Sequence, residues 1–419
     1  MTAQVTGSPA DHMPPQLVTP ENLTEIAASL PTVIRSALAY GTRIERGCLT
    51  VHLPDGTSYM FRGAKPGPDA VFQVKDFAFA RRLALGGDIG FAEAYLRGEW
   101  ETPNLARFLE LFATNYSAIE TMLAGKPMAR LWQILRHFLN RNTRAGSRKN
   151  IHAHYDLGNT FYSSWLDQTM TYSSGIYAPG DNDLSSAQTR KYRALAEQTG
   201  IQPGDRVLEI GCGWGGFAEF AAREIGCKVT GLTISKEQFD FAQERIAKAG
   251  LNDKVEIKML DYRDEKGTYD RIASIEMFEA VGEQYWPIYF QQIRDRLRDG
   301  GTAGLQVITI KDESFQFYKN EMDFIRAYIF PGGMLPTPTH MKNLGTKFGV
   351  PMVGEREFGL DYAQTLSDWR VRFRLAWPDL TPLGFDERFR RMWEYYLAYC
   401  EAGFRSGNID VRQMVFKRA

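Results

Sequence analysis

The chain has 419 residues, enough for two domains and a sizeable core, and its 44% hydrophobic and 24% charged content is that of a globular protein. Lysine plus arginine (50) equals aspartate plus glutamate (50), so no global field draws it to nucleic acid or to an anionic surface; any such attraction must be local. Four scattered cysteines without C-x-x-C spacing and six dispersed histidines argue against a metal site or disulfide framework, and for a cytoplasmic protein.

Residues 1–20 are polar and proline-bearing, with neither the basic start nor the apolar run of a signal peptide, and read as a disordered lead-in. No run approaches the roughly 18 apolar residues needed to span a bilayer, so the protein is expected to be soluble or peripheral. Residues 21–115 read as a small α+β domain. Helical periodicity from Glu21 to Tyr40 is interrupted near Pro31. A hairpin follows, Cys48 to Leu53 and Thr57 to Phe61 around Pro54-Asp55-Gly56, because Asp-Gly between alternating apolar runs favours a tight turn. Ala70 to Val74 adds a strand candidate, and Phe77–Leu85, Ile89–Arg97 and Leu105–Ala113 have helical spacing. Nothing in this domain is catalytic by residue type.

Residues 116–150 form a basic linker. From Thr121 to Tyr155 there is no acidic residue, while Arg130, Arg136, Arg141, Arg144, Arg148 and Lys149 alternate with Leu131, Trp132, Leu135 and Phe138. A basic amphipathic helix suits an anionic membrane surface, although a core-facing helix with a solvated face gives the same pattern.

Residues 151–419 read as one further domain. A helix at Ser185–Thr199 precedes strand candidates at Arg206–Ile210, Lys228–Leu232, Val255–Met259, Asp270–Ile275 and Thr302–Ile310. Helices at Phe217–Ile225, Ser235–Ala249 and Gln284–Leu297 lie between them. This alternation predicts a doubly wound parallel sheet. The last hundred residues are aromatic-rich and less regular, either a lid or plain packing.

The first strand runs into Glu209-Ile-Gly211-Cys-Gly213-Trp-Gly215-Gly216. This fits the dinucleotide pattern G-x-G-x-x-G and also the D/E-x-G-x-G-x-G pattern of S-adenosylmethionine (SAM) sites. Three features favour SAM. The loop lies in mid-chain after a preparatory helix. Glu209 can orient the loop or approach a cationic ligand. The second strand ends in Gly231-Leu-Thr233-Ile-Ser-Lys-Glu-Gln238, without the acid a dinucleotide ribose wants.

That last segment resembles the one in cyclopropane fatty acid synthases and mycolic acid cyclopropane synthases. His154-Tyr-Asp-Leu-Gly-Asn159, Thr171-Tyr-Ser-Ser174, Met277-Phe-Glu-Ala-Val-Gly282, Tyr328-Ile-Phe-Pro-Gly-Gly333, Phe358-Gly-Leu-Asp-Tyr362 and Trp377-Pro378 resemble further blocks of that family, in order. The amino-terminal domain, with Gly87-Asp-Ile-Gly-Phe-Ala-Glu-Ala-Tyr95, is similar to the extra domain of the bacterial phospholipid enzymes. The resemblance implies an α/β class I SAM-dependent methyltransferase, a Rossmann-like sheet with a smaller amino-terminal domain. That domain would bind lipid or dimerise. The implied activity is methyl transfer to the cis double bond of unsaturated acyl chains in membrane phospholipids, at the inner face of the membrane. Loss of a proton from the new methyl then closes a cyclopropane.

The resemblance also distributes roles. Gly211, Gly213 and Gly215 would hold the methionine part of SAM, Thr233 and Gln238 the ribose, and Asp261, Tyr262 and Arg263 the adenine, while Tyr172 and Ser173 close over the cofactor. A bicarbonate would serve as base. Glu279, Ile308 and Tyr362 match three of its ligands, but Ser174 stands where a Cys is expected and Gln306 where a His is. Both replacements can donate hydrogen bonds, yet neither carries a histidinium's charge. They support a sibling outcome, a methyl-branched or methylene-bearing chain formed by loss of a different proton. Glu276 would put a second carboxylate near the pocket, against the plainer reading of a residue hydrogen-bonded at a strand end.

Other residues read more plainly. Trp214 and Cys212 are packing residues in the glycine loop. His154 has a structural place beside the lid, and neither it nor His152 is taken as the base. Tyr328 and Phe330 either face the acyl cation or pack the lid. Two other classes stay open: a lipid-binding homologue without turnover, and a methyltransferase for a soluble small molecule.

Overall fold

The computed structural model describes residues 14–26, 28, 32–116 and 157–419. The basic stretch expected to meet a membrane, together with His152 and His154, lies outside them. The chain divides into two compact units, Met1–Trp132 with Glu387–Ala402, and Gln133–Asp386 with Gly403–Ala419. Residues Glu387–Ala402, which the sequence reading places in the second domain, therefore count with the first.

The first unit holds a five-stranded sheet: β1 (Gln16–Leu17), β2 (Arg46–His52), β3 (Ser58–Arg62), β4 (Lys65–Val74) and β5 (Trp100–Glu101), in the order β1-β3-β2-β4-β5. The expected hairpin is β2 with β3, paired antiparallel from Cys48↔Arg62 to His52↔Ser58. Its turn is stabilised where Asp55 Oδ1 accepts from the Thr57 N–H at 2.9 Å and Gly56 takes φ 89°. The expected lead-in over residues 1–20 is corrected at its end. Gln16 and Leu17 pair in parallel with Tyr59 and Met60, and Val18 is buried. An otherwise open strand edge there gives the backbone partners that composition does not reveal. The two helices expected at Phe77–Leu85 and Ile89–Arg97 both lie within Ala78–Leu96 and are parted at Gly87, whose φ 60° and ψ −137° are not helical. Phe72, Phe91, Trp100 and Phe108 stack at the centre of the unit.

The second unit is built on seven strands: β6 (Arg206–Ile210), β7 (Lys228–Thr233), β8 (Val255–Met259), β9 (Tyr269–Ile275), β10 (Leu297–Ile310), β11 (Met352–Glu357) and β12 (Ile409–Lys417). Their order is β11-β12-β10-β9-β6-β7-β8. β6 to β10 pair in parallel, whereas β12 runs antiparallel between β10 and β11. Alternate residues of β6 feed opposite layers, Val207 into one and Leu208 and Ile210 into the other. Burial on both faces explains why Val207, Leu208 and Ile210 do not alternate with solvent-facing residues. The last hundred residues are more regular than expected, because β11 and β12 complete the sheet and Gly359–Leu380 is a long helix. The strand order reverses between β6 and β9, which opens a crevice at their carboxyl ends.

Candidate active site

The glycine loop sits in that crevice. Gly211, Gly213 and Gly215 adopt φ of 84°, 52° and 83°, conformations that residues with a Cβ rarely take. The N–H groups of Gly211 and Cys212 both donate to the Leu232 carbonyl, at 3.0 and 2.8 Å, and so moor the loop to β7. A Cβ on Gly211 would lie 2.7 Å from Met277 Cγ. Glu209, at the end of β6, is buried, and burial pushes its carboxyl well above the usual range against the pull of Lys191 and Arg245. Its Oε2 has no hydrogen-bond partner among the described residues. A partnerless carboxylate oxygen beside a glycine turn suits a cationic ligand.

At the end of β7, Thr233 Oγ1 donates to Gln238 Oε1 at 2.9 Å. This uses the oxygen of the amide and leaves its NH₂ as the group to meet hydroxyl oxygens. Asp261, expected at the adenine, is paired within its own turn. Its carboxylate accepts from Arg263 Nε at 2.8 Å and from the guanidinium Nη2 at 2.6 Å, so its charge is already matched. Tyr262 packs edge-on against Tyr289 at 5.3 Å.

Aromatic side chains wall the crevice. On the helix Asn159–Trp165, Tyr162 lies 5.1 Å from the Trp214 ring and 5.5 Å from that of Tyr172. Tyr172 also meets Trp165 and Trp369. The Trp214 indole N–H donates to Asn159 Oδ1 at 2.7 Å. Trp214, which the sequence assigns to packing, thus also fastens the glycine loop to this helix.

The expected base site converges, but on a side chain the sequence assigns to the strand end. Glu276 follows β9 at φ 50°. Its Oε1 accepts from the Ser174 N–H at 2.9 Å and from Gln306 Nε2 at 2.8 Å, and its Oε2 from the Tyr362 hydroxyl at 2.5 Å. Ser174 contributes through its backbone, since its hydroxyl donates to the Gly175 carbonyl. Glu279 accepts from the Ile308 N–H, while its Oε2 is buried without a partner among the described residues. Burial and the nearby Glu276 push Glu279 up to about 8. Burial also raises Glu276, against Lys191 and its three hydrogen-bond donors.

Tyr362, Gln306 and the Ser174 backbone, at three of the positions expected to hold a bicarbonate, thus donate to the Glu276 carboxylate. Ser173 is held on two sides. Its hydroxyl oxygen accepts from Lys191 Nζ at 2.6 Å and its carbonyl from Gln188 Nε2 at 2.7 Å. The sequence gives no hint of Lys191, beyond its place with Leu184, Ala187, Gln188 and Leu195 on the apolar face of the helix Leu184–Thr199. Among the described residues, no cluster of His, Cys, Asp and Glu could hold a metal, and no helix is long and apolar enough to cross a membrane.

Residues 142–414 match the family described as mycolic acid cyclopropane synthetase. The chain is 38% identical to the tuberculostearic acid methyltransferase UfaA1 of Mycobacterium tuberculosis, covering 91% of this chain and 92% of that protein. It is 36% identical to the cyclopropane-fatty-acyl-phospholipid synthase of Escherichia coli K12, over 83% and 88% of the two. Among solved structures, mycolic acid cyclopropane synthase CmaA1 complexed with SAH and CTAB aligns with a TM-score of 0.60 and 30% identity. It covers 65% of this chain and 98% of its own.

Proposed function

The chain belongs to the mycolic acid cyclopropane synthetase family of class I methyltransferases, and we propose that it transfers a methyl carbon from SAM to the cis double bond of unsaturated acyl chains in membrane phospholipids, with Glu276 as the base. One observation carries this reading: Tyr362, Gln306 and Ser174 all donate to a single buried carboxylate.

SAM supplies a methyl group on a sulfonium. The residues that would hold it are Gly211, Gly213 and Gly215, the unpartnered oxygen of Glu209, and the Thr233–Gln238 pair. Tyr172, Tyr162 and Trp369 exclude water, which would otherwise trap the acyl cation as an alcohol. The alkene's π electrons form the new C–C bond while the C–S pair leaves with sulfur. The positive charge left on the acyl chain faces the Glu276 carboxylate. Glu276 then takes a proton from the new methyl group, and its C–H pair closes the ring. For the methylene product the hydrogen on the methylated carbon first shifts with its electron pair to the neighbouring cationic carbon, and the methyl C–H pair then forms a double bond. Glu279, held near its protonated form by burial, sits beside that charge without competing for it.

The geometry favours the open product, a methylene or methyl-branched chain. The base is anchored to the protein through both oxygens, so it reaches one fixed C–H. The 38% relationship to UfaA1 over most of the chain supports the same side. Cyclopropane closure, which the Escherichia coli relative's name describes, is the other outcome. The amino-terminal unit would bind lipid or pair two copies, with the protein peripheral to the membrane.

Incubation with SAM and unsaturated phospholipid vesicles, followed by mass spectrometry and proton NMR of the acyl chains, tests this. Gain of one CH₂ with vinylic methylene signals supports the open product, and upfield ring protons support the cyclopropane. No gain of mass on any lipid overturns both.

A further inference from the structure

Lys191 has no exposed surface, yet it carries a group whose burial in charged form is costly unless compensated. Its Nζ donates to Ser173 Oγ at 2.6 Å, and the neighbouring Ser174 N–H donates to Glu276. A second path returns to the same carboxylate. Gln413 Nε2 donates to both the Lys191 carbonyl and Gln306 Oε1, at 3.1 Å each, and Gln306 in turn donates to Glu276. One path runs through Ser173 and Ser174, the other through β12 and β10. The carboxylates acting on the ammonium come from three other elements: Glu276 after β9, Glu209 on β6, and Asp167 just after the helix Asn159–Trp165. The Tyr192 ring lies 4.5 Å from Nζ on its own helix.

We infer that Lys191 is a positioning residue for the methylation: its ammonium supplies the positive charge that Gln306 cannot carry, keeps Glu276 ionised, and fixes Ser173, expected to close over the cofactor. This rests on the reading of Glu276 as base. The Lys191 ammonium faces the Glu276 carboxylate, while burial drives Glu209 toward its neutral form. When the acyl chain becomes cationic, Glu276 ends the cycle by accepting a proton from it. Burial lowers Lys191 to about 7 against the pull of the three carboxylates, which leaves its charge sensitive to pH near neutrality.

The test is the pH dependence of kcat in the full-length protein, with SAM and unsaturated phospholipid vesicles, for wild type, Lys191→Met, Lys191→Arg and Glu276→Gln. In wild type, rate should rise as Glu276 ionises and fall as Lys191 loses its proton. In Lys191→Met the acid limb should move up by about one unit, for roughly a tenfold loss of kcat below the limb. Its alkaline limb should vanish, and KM for SAM should change less than kcat. Lys191→Arg should restore both limbs. A Lys191→Met enzyme that keeps both wild-type limbs overturns the inference while leaving Glu276 in place. A Glu276→Gln enzyme of wild-type rate overturns the base assignment itself. Should Lys191→Met fail to fold by circular dichroism, Ser173→Ala decides. It cuts the tether but spares the charge, so KM for SAM should rise with both limbs unmoved, and a shifted limb overturns the inference.

Discussion

Tyr362 and Glu276 stand 86 residues apart in the chain, and the phenol donates to the carboxylate at 2.5 Å. One comes from the helix Gly359–Leu380, the other from the turn after β9. Their contact requires the sheet and the carboxy-terminal helix to be assembled together. It places the strongest available donor on the oxygen not held by Gln306 and Ser174. All three bonds favour the ionised form of a group that burial would otherwise neutralise.

Replacing Glu276 with Gln should abolish proton abstraction while keeping shape. The expected loss in kcat is about 10²- to 10⁴-fold, with the dissociation constant for SAM nearly unchanged by calorimetry. A loss confined to SAM binding would assign Glu276 to the cofactor instead.

Because the Glu276 carboxylate occupies the donors expected for bicarbonate, turnover should not need that ion. Wild-type rates in carbon-dioxide-free buffer and in buffer with added bicarbonate should agree within experimental scatter. A rate that falls on depletion and recovers on addition contradicts the assignment.

Stability should decline as pH rises through the range set by Glu279. Its folded value of about 8 lies above the ordinary 4.5, so between these two values the folded state keeps a proton that the unfolded chain releases. The unfolded state then binds fewer protons, and ΔG of unfolding falls with pH. Wild type should lose on the order of 2–4 kcal/mol between pH 5 and pH 8.5 from this group. Glu279→Gln should flatten much of that slope in urea titrations at the two pH values. Glu276 and Glu209, raised in the same direction, add to the slope.

Much of this was legible where the signal is local. Asp55-Gly56 fixes the β2–β3 hairpin, and the strand–glycine–helix grammar locates the cofactor crevice from residues 206–216 alone. The strands β11 and β12 escaped because their pairing is distant. Thr302 meets Lys417, and no periodicity in β12 announces a partner so far away. Family blocks pointed to Ser174, Gln306 and Tyr362, which the structure brings to Glu276. Ser174, Gln306 and Tyr362 were each expected, but nothing in the sequence shows that they point at Glu276 or that residue 276 adopts positive φ. Lys191 looks like any helical lysine until the helix is packed.

Gly211→Ala should cost both cofactor affinity and stability. Its φ of 84° disfavours a Cβ, and the added carbon would meet Met277 Cγ at 2.7 Å, in the chain between Glu276 and Glu279. The backbone cost alone is about 1–3 kcal/mol. Calorimetry should show SAM binding weakened by at least tenfold, and the melting temperature should fall as well. Unchanged binding would mean that the loop does not form the cofactor cradle.

A glycine far from the chemistry gives a separate test of the first unit. Gly87 parts two helical stretches within Ala78–Leu96 at φ 60° and ψ −137°, a region open essentially to glycine alone. It is buried, so the two stretches cannot merge into one straight helix without displacing Phe79 and Leu83 on one side or Ala92 and Tyr95 on the other, all of them core residues. Gly87→Ala therefore leaves a choice between backbone strain and lost packing, and costs about 1–3 kcal/mol either way. The measurable outcome is a lower first transition in calorimetry, with SAM affinity kept near wild type because the glycine loop belongs to the other unit. An alanine variant as stable as wild type would show that the bend is optional.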